Sequence, residues 1–270
     1  MAFEPTTRGE HSIVEAVFGL NTGRPFTPSE FDKLGKSHGL WKELLPRFHR
    51  QPGIAFSIGP DGALVQVEQN AVGAALFDRV KPDGSPEWRL RVEGNSIYIN
   101  CLSYTRWNEI WARVQPLFEQ VTSVLAAEDN PATSIVLQYI DQWDWTAGSE
   151  SYDLSQLLAE GNMVPSGIFS NGPWWHLHQG RFRYDASGLP PSKLLERLHI
   201  DGVIDPASNL PSVKIDSYLS YEFPAPAPLG EVLKGNSNAT AWFDALHHLD
   251  KELLGYAMAS PAKTRIGLNG

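Results

Sequence analysis

A run of short alternating strands that empties into one long amphipathic helix occurs twice along this chain, and it limits the available folds more than any other feature. The first helix starts near Thr105-Arg-Trp107 and presents Trp107, Ile110, Trp111, Val114, Leu117, Phe118, Val121 and Leu125, spaced by threes and fours. That spacing makes a continuous apolar stripe, and Pro116 inside it removes a backbone donor and predicts a kink. The second helix starts at Thr240-Ala-Trp242, runs to about Ala259, and offers Trp242, Leu246, Leu249, Leu253 and Tyr256 in the same spacing. At 270 residues the chain is long for one core and short for two independent domains. The expectation is an α+β protein of two similar halves, each an antiparallel sheet backed by a long amphipathic helix. The halves, 1–129 and 130–270, pack as one unit.

The strands are marked by alternation and by their turns. Ile13 to Leu20 is a compact apolar run, and Thr27-Pro28 before Glu30 is a helix start with proline in the first turn. Phe56-Ser-Ile58 and Leu64 to Glu68 flank the turn Gly59-Pro-Asp-Gly62, a hairpin. Trp88, Leu90 and Val92 alternate with Arg89, Arg91 and Glu93, and Ile97 to Leu102 follows after Gly94-Asn95. In the second half Ile135, Leu137, Tyr139, Trp143 and Trp145 share one strand face. A short helix near Asp153 to Leu158 precedes strands at Trp174 to Tyr184, Leu194 to Ile204 and Val213 to Phe223, with Lys193 to Leu198 open to a helical reading. Phe223-Pro-Ala-Pro-Ala-Pro228 reads as an extended connector.

A formal charge of −9 with no cluster of Lys and Arg argues against nucleic acid as a partner. Cys101, the only cysteine, excludes an intramolecular disulfide and any cysteine-built zinc or iron–sulfur site, and its apolar strand reads as the home of a buried, inert thiol. No run approaches the roughly 20 apolar residues that span a bilayer, and the first residues lack the apolar core of a secretion signal. The expectation is a cytoplasmic protein without a membrane partner. Signatures of nucleophile elbows, phosphate loops, dinucleotide folds and kinases are missing, so no catalytic residue is assigned and no cofactor is expected.

Trp174-Trp175-His176-Leu177-His178 is the densest chemical cluster. In a strand His176 and His178 project from one side, as two metal ligands would, with Asp141 or Asp144 as a third ligand. Structural histidines among Trp174, Phe182 and Tyr184 are the competing explanation. His247-His248 lacks the partner of a helical zinc motif and reads as helix surface and core edge. Of nine tryptophans, Trp88, Trp107, Trp111 and Trp242 fall on buried stripes. Trp143, Trp145, Trp174 and Trp175, with Asp141 and Asp144 interleaved in the first pair, form either an aromatic inter-sheet core or the wall of a binding groove. Trp143, Trp145, Trp174, Trp175 and Asp141 are therefore the candidate binding residues, and His176 and His178 the candidate metal ligands.

Four segments also look familiar. Ser12-Ile-Val-Glu-Ala-Val-Phe18, Asn100 to Trp107 with Tyr104-Thr-Arg-Trp107, Leu137-Gln-Tyr-Ile-Asp141 and Ala245-Leu-His-His248 resemble a sporadically distributed prokaryotic family across nearly the whole chain. That family tends to show Arg-Tyr-x-Asn where this chain has Gln138-Tyr-Ile-Asp141, which removes any role resting on the arginine. The resemblance carries over no catalytic residues. It implies mobile or antiviral-defence gene neighbourhoods, and so a complex subunit or sensor. The expected function is non-catalytic binding of a protein partner in a multi-subunit assembly. Two alternatives stand: a metal-dependent hydrolase built on His176 and His178 with Asp141 or Asp144, and a sensor whose small-molecule ligand lies between the halves.

Overall fold

The computed structural model describes residues 2–7, 11–58, 64–148, 151–206, 208–235 and 237–268. In chain order the elements are β1 (Phe3–Pro5), β2 (Ile13–Thr22), α1 (Pro28–Lys36), β3 (Arg47–Ile58), β4 (Leu64–Val80), β5 (Pro86–Glu93) and β6 (Ser96–Cys101). There follow α2 (Trp107–Leu125), β7 (Ala132–Trp145), β8 (Trp175–Arg183), β9 (Leu194–Ile204), β10 (Pro211–Ala227), α3 (Asn238–Ala257) and α4 (Ser260–Arg265). The strands run in the order β3-β4-β5-β6-β2-β7-β10-β9-β8, with β1 added onto β7.

This corrects the expected fold. In place of two sheets each backed by a long helix, the described residues form mostly one ten-stranded antiparallel sheet with four helices. The physical reason is that alternation tells which face a residue takes but not which strand lies alongside. β2 and β7 are far apart in sequence yet adjacent in mid-order, which merges what the sequence pattern separates. By its internal contacts the chain divides into two compact units, one of residues Phe18–Ile135 with Ala225–Thr240, the other of Met1–Val17, Val136–Pro224 and Ala241–Gly270.

In the first of these units, α1 starts where expected: Thr27 and Glu30 exchange hydrogen bonds in a capping box with Pro28 in the first turn. α2 runs unbroken through Pro116 and buries the expected stripe from Ile110 to Leu125. Trp107 and Trp111 stack at 5.6 Å, and both rings lie within 6 Å of Phe18 on β2. β3 and β4 pair as the expected hairpin, while its turn Gly59–Gly62 lies outside the described residues. The Cys101 thiol is fully buried, and burial pushes its pKa up to about 11.

In the other unit, one face of β7, β9 and β10 carries the core, with Trp143, Trp145, Leu198, Ile200, Val213 and Ile215 packed against Phe3, Leu254 and Met258. Three local expectations change here. Lys193 to Leu198 belongs to a strand, because Leu194, Leu198 and Ile200 alternate inward with period two. The prolines after Phe223 continue β10, and the β9 ladder ends at Tyr221↔Leu194, so on that side they forgo no hydrogen bond. On α3 the expected Leu246, Leu249 and Leu253 are buried, but the buried face is wider than the apolar stripe: it also takes in Phe243, His247, Asp250, Leu254 and Ala257, and it leaves Tyr256 64 % exposed. Among the described residues no helix is long and apolar enough to cross a membrane.

Candidate functional site

The wide buried face of α3 includes a buried polar cluster against the sheet. Asp141 on β7 is almost fully buried; its Oδ1 accepts from the Ser12 hydroxyl at 2.6 Å, and its Oδ2 makes no hydrogen bond. Asp250 on α3, equally buried, accepts a short hydrogen bond from the Ser217 hydroxyl on β10. Loss of solvation pushes Asp141 up to about 6, and Ser12 offsets only part of this. Burial pushes Asp250 further, to about 8, with the neighbouring Asp141 charge adding to the rise. One turn earlier on the helix, His247 Nδ1 and the Tyr139 hydroxyl are 2.9 Å apart. Burial, with Lys251 and His248 nearby, lowers His247 to about 3, so its imidazole is neutral at ordinary pH. Burial thus favours the uncharged form of all three groups. The cluster organises the helix–sheet contact.

The candidate binding residues separate. Trp143 and Trp145 are buried, and Trp145 meets Phe3 edge-to-face at 5.1 Å and Tyr152 at 5.5 Å. They are core, as is Asp141. Trp175 is half-buried over the same core, its indole lying on Gly202 of the paired strand. A Cβ on Gly202 would sit 2.4 Å from the Trp175 Nε1, so only glycine admits the ring there. Trp174 is 66 % exposed.

Trp174 introduces β8, the terminal strand of the order, paired among the described residues with β9 alone. Two further exposed aromatics flank that strand, Phe182 at 57 % and Tyr184 at 65 %. No carboxylate occurs from Trp174 to Tyr184. The strand's two arginines turn to the inner face, where Arg181 Nε and Arg183 Nη1 reach the buried Glu196 at 2.6 and 2.7 Å. That clamp fixes the end of β8 on β9.

On the opposite, open face of the sheet His176 and His178 are exposed. His178 lies beside His199 with ring centres 5.3 Å apart, and His199 Nε2 is 3.0 Å from Asp201 Oδ1. Further along that face Arg197 covers the Tyr218 ring at 4.3 Å, and Gln138 donates to Asp216 at 2.8 Å. The proposed third metal ligands do not join these histidines. Asp141 points to the other face, and Asp144 stands on β7, three strands from β8, about 14 Å at ordinary strand spacing. Among the described residues no group of three or more His, Cys, Asp or Glu is placed to hold a metal ion. A surface hollow of about 520 Å³ between Ala126–Pro131 and Pro226–Glu231 contains none of the candidate residues.

The sequence names Trp174, Trp175, the two histidines and their aromatic neighbours Phe182 and Tyr184, but it singles out neither Asp250 nor Ser217 in the interior. Trp174, His176, Phe182 and Tyr184 share strand parity. No family model matches the chain, and no curated protein does either.

Proposed function

We propose that the protein is a non-catalytic binding protein, a subunit of a multi-protein assembly that takes up an extended polypeptide segment alongside β8. The observation that carries this reading is a nine-residue edge strand, paired on one side only among the described residues and carrying three exposed aromatic side chains along or beside it, Trp174, Phe182 and Tyr184. Edge strands offer a row of free backbone donors and acceptors that an incoming strand completes. Large amphipathic aromatics at such a site supply the contact area that backbone pairing lacks. The buried carboxylates support the reading indirectly, because they are sealed beneath α3 and present no reacting atom to solvent.

The test is native mass spectrometry of the full chain co-expressed with the products of its neighbouring genes, combined with hydrogen exchange. Complex formation that slows exchange of the β8 amides, and is lost in Trp174→Ala/Phe182→Ala/Tyr184→Ala at unchanged Tm, supports the reading. A complex indifferent to that triple variant overturns it.

A further inference from the structure

We infer that the segment received by β8 is β8 of a second copy of this chain, a partner choice that rests on the edge-strand reading above. The two ends of the sheet differ in a way that matters here. β3, at one end, is bulged against β4 after Gln51, Gly53 and Ser57 and contains Pro52, the devices by which proteins blunt an edge. β8, at the other, matches β9 through nine consecutive pairs with no register shift and no proline. It is a regular template.

The sequence of β8 is self-complementary about Gln179. Antiparallel pairing of two copies centred there sets each residue opposite the one equally distant on the other side. Trp174 then faces Tyr184 of the second copy and His176 faces Phe182, each pair occurring twice by symmetry. All three exposed aromatics acquire aromatic partners. On the inner face Trp175 meets Arg183 and Leu177 meets Arg181, so no like charges oppose each other. The small Gly180 faces His178 on either side of the axis. Recentring on His178 pairs Trp174 with Phe182 but sets Tyr184 opposite Gly172 and His176 opposite Gly180. A shift of centre by half a residue pairs the open face with the core face. Only the Gln179 register places Trp174, Phe182 and Tyr184 each against another ring, and a two-fold of this kind closes on itself, so it stops at a dimer.

The experiment is size-exclusion chromatography with light scattering on the full chain, together with a cysteine at the axis. In Gln179→Cys the two introduced residues are directly opposite, at the Cα separation of about 5 Å that a disulfide spans. The native Cys101 is sealed in the core and does not compete. The expected results are a dimer, a Gln179→Cys dimer that cross-links under mild oxidation, and a loss of at least tenfold in dimer affinity for Trp174→Lys/Tyr184→Lys at unchanged Tm. Tyr184→Cys, far from the axis in this register, is expected not to cross-link. A monomer at every concentration overturns the second copy. A dimer that ignores the lysine pair, or that cross-links through Tyr184→Cys rather than Gln179→Cys, overturns it too. If the chain is a monomer but the triple alanine variant still loses a heteromeric complex, the edge-strand reading stands without the second copy. If neither assembly responds to these variants, both fall.

Discussion

β7 carries two tryptophans among polar residues, β8 opens on one with another just before it, and the two pairs are used in opposite ways. On β7 the pair is Trp143-Asp-Trp145, spaced by two, so both rings fall on one face and both are buried. On β8 the pair is Trp174-Trp175, spaced by one, so the strand must divide them: Trp175 settles over Gly202 against the core and Trp174 stands in solvent. Position in the sheet completes the contrast. β7 has neighbours on both sides, whereas β8 is the last strand. Large aromatics in a central strand are core material, and the same residue one position out of phase on an edge stands in solvent.

The sharpest way to break the comparison is at its buried end. Trp143→Ala removes one of the largest fully buried side chains, and such truncations cost about 3–5 kcal/mol. The expected result in urea unfolding is a lower midpoint with an unchanged slope. A loss below about 1 kcal/mol would mean that β7 is not the centre of the core.

Next in size is the charge state of the buried cluster on the same strand. Asp141 and Asp250 are both raised above the ordinary carboxyl value of 3.8, to about 6 and about 8, because burial favours their neutral forms. A raised carboxyl contributes stability that is present below pH 3.8 and is lost as pH climbs through the folded value. His247, lowered to about 3, acts in the other direction, and its contribution is lost as pH falls from 6.5 toward 3. The contribution of the two carboxyls should therefore decline as pH rises from about 4, through about pH 6 for Asp141 and about pH 8 for Asp250. Asp250→Asn keeps an acceptor for Ser217 and cannot ionise. Its gain over the parent should be on the order of 1–3 kcal/mol at pH 9 and vanish near pH 4, as read by urea unfolding at the two values. A pH-independent difference would show that Asp250 does not titrate in this range.

A smaller effect tests the half-buried member of the β8 pair. Gly202→Ala forces a Cβ against the Trp175 indole and within 2.8 Å of the Pro173 carbonyl oxygen. Overpacking of this kind costs about 1–3 kcal/mol. The loss should be local, with faster hydrogen exchange in β8 and β9 and unchanged exchange in α2.

These same residues show what a sequence can and cannot reveal. Strand and helix positions are legible because period two and period 3.6 are properties of a single segment, which is why Trp88 to Glu93 and Trp107 to Leu125 fall where their patterns place them. Neighbours are a different matter. Nothing local to Ile13–Thr22 announces that it pairs between β6 and β7, and the division into two sheets failed at that point. The cluster of Asp141, Asp250, Ser12 and Ser217 was illegible for a related reason. Its members come from three elements and the residue before β2, and although Asp141 was a candidate, nothing in its own strand names Ser12 or Asp250 as a neighbour. The face of α3 that is buried is wider than its apolar stripe and brings His247 and Asp250 inward. On β8 the spacing of one between Trp174 and Trp175 already dictated that the two could not share a role.

Trp174→Ala is the smallest effect on stability and the most discriminating. The ring is 66 % exposed, and exposed substitutions away from caps and strained turns usually change stability by less than about 0.5 kcal/mol. Binding should respond far more, since a ring at the end of an unpaired strand gains its contacts only when another strand arrives. Trp174→Ala should leave Tm within about 1 °C of the parent while it weakens the assembly, whereas Trp143→Ala should lower Tm and leave the assembly intact wherever the chain is still folded. The two variants thus dissociate fold from contact. If Trp174→Ala instead lowers Tm as Trp143→Ala does, the ring is packed in solution, and the edge of β8 is already closed within a single chain.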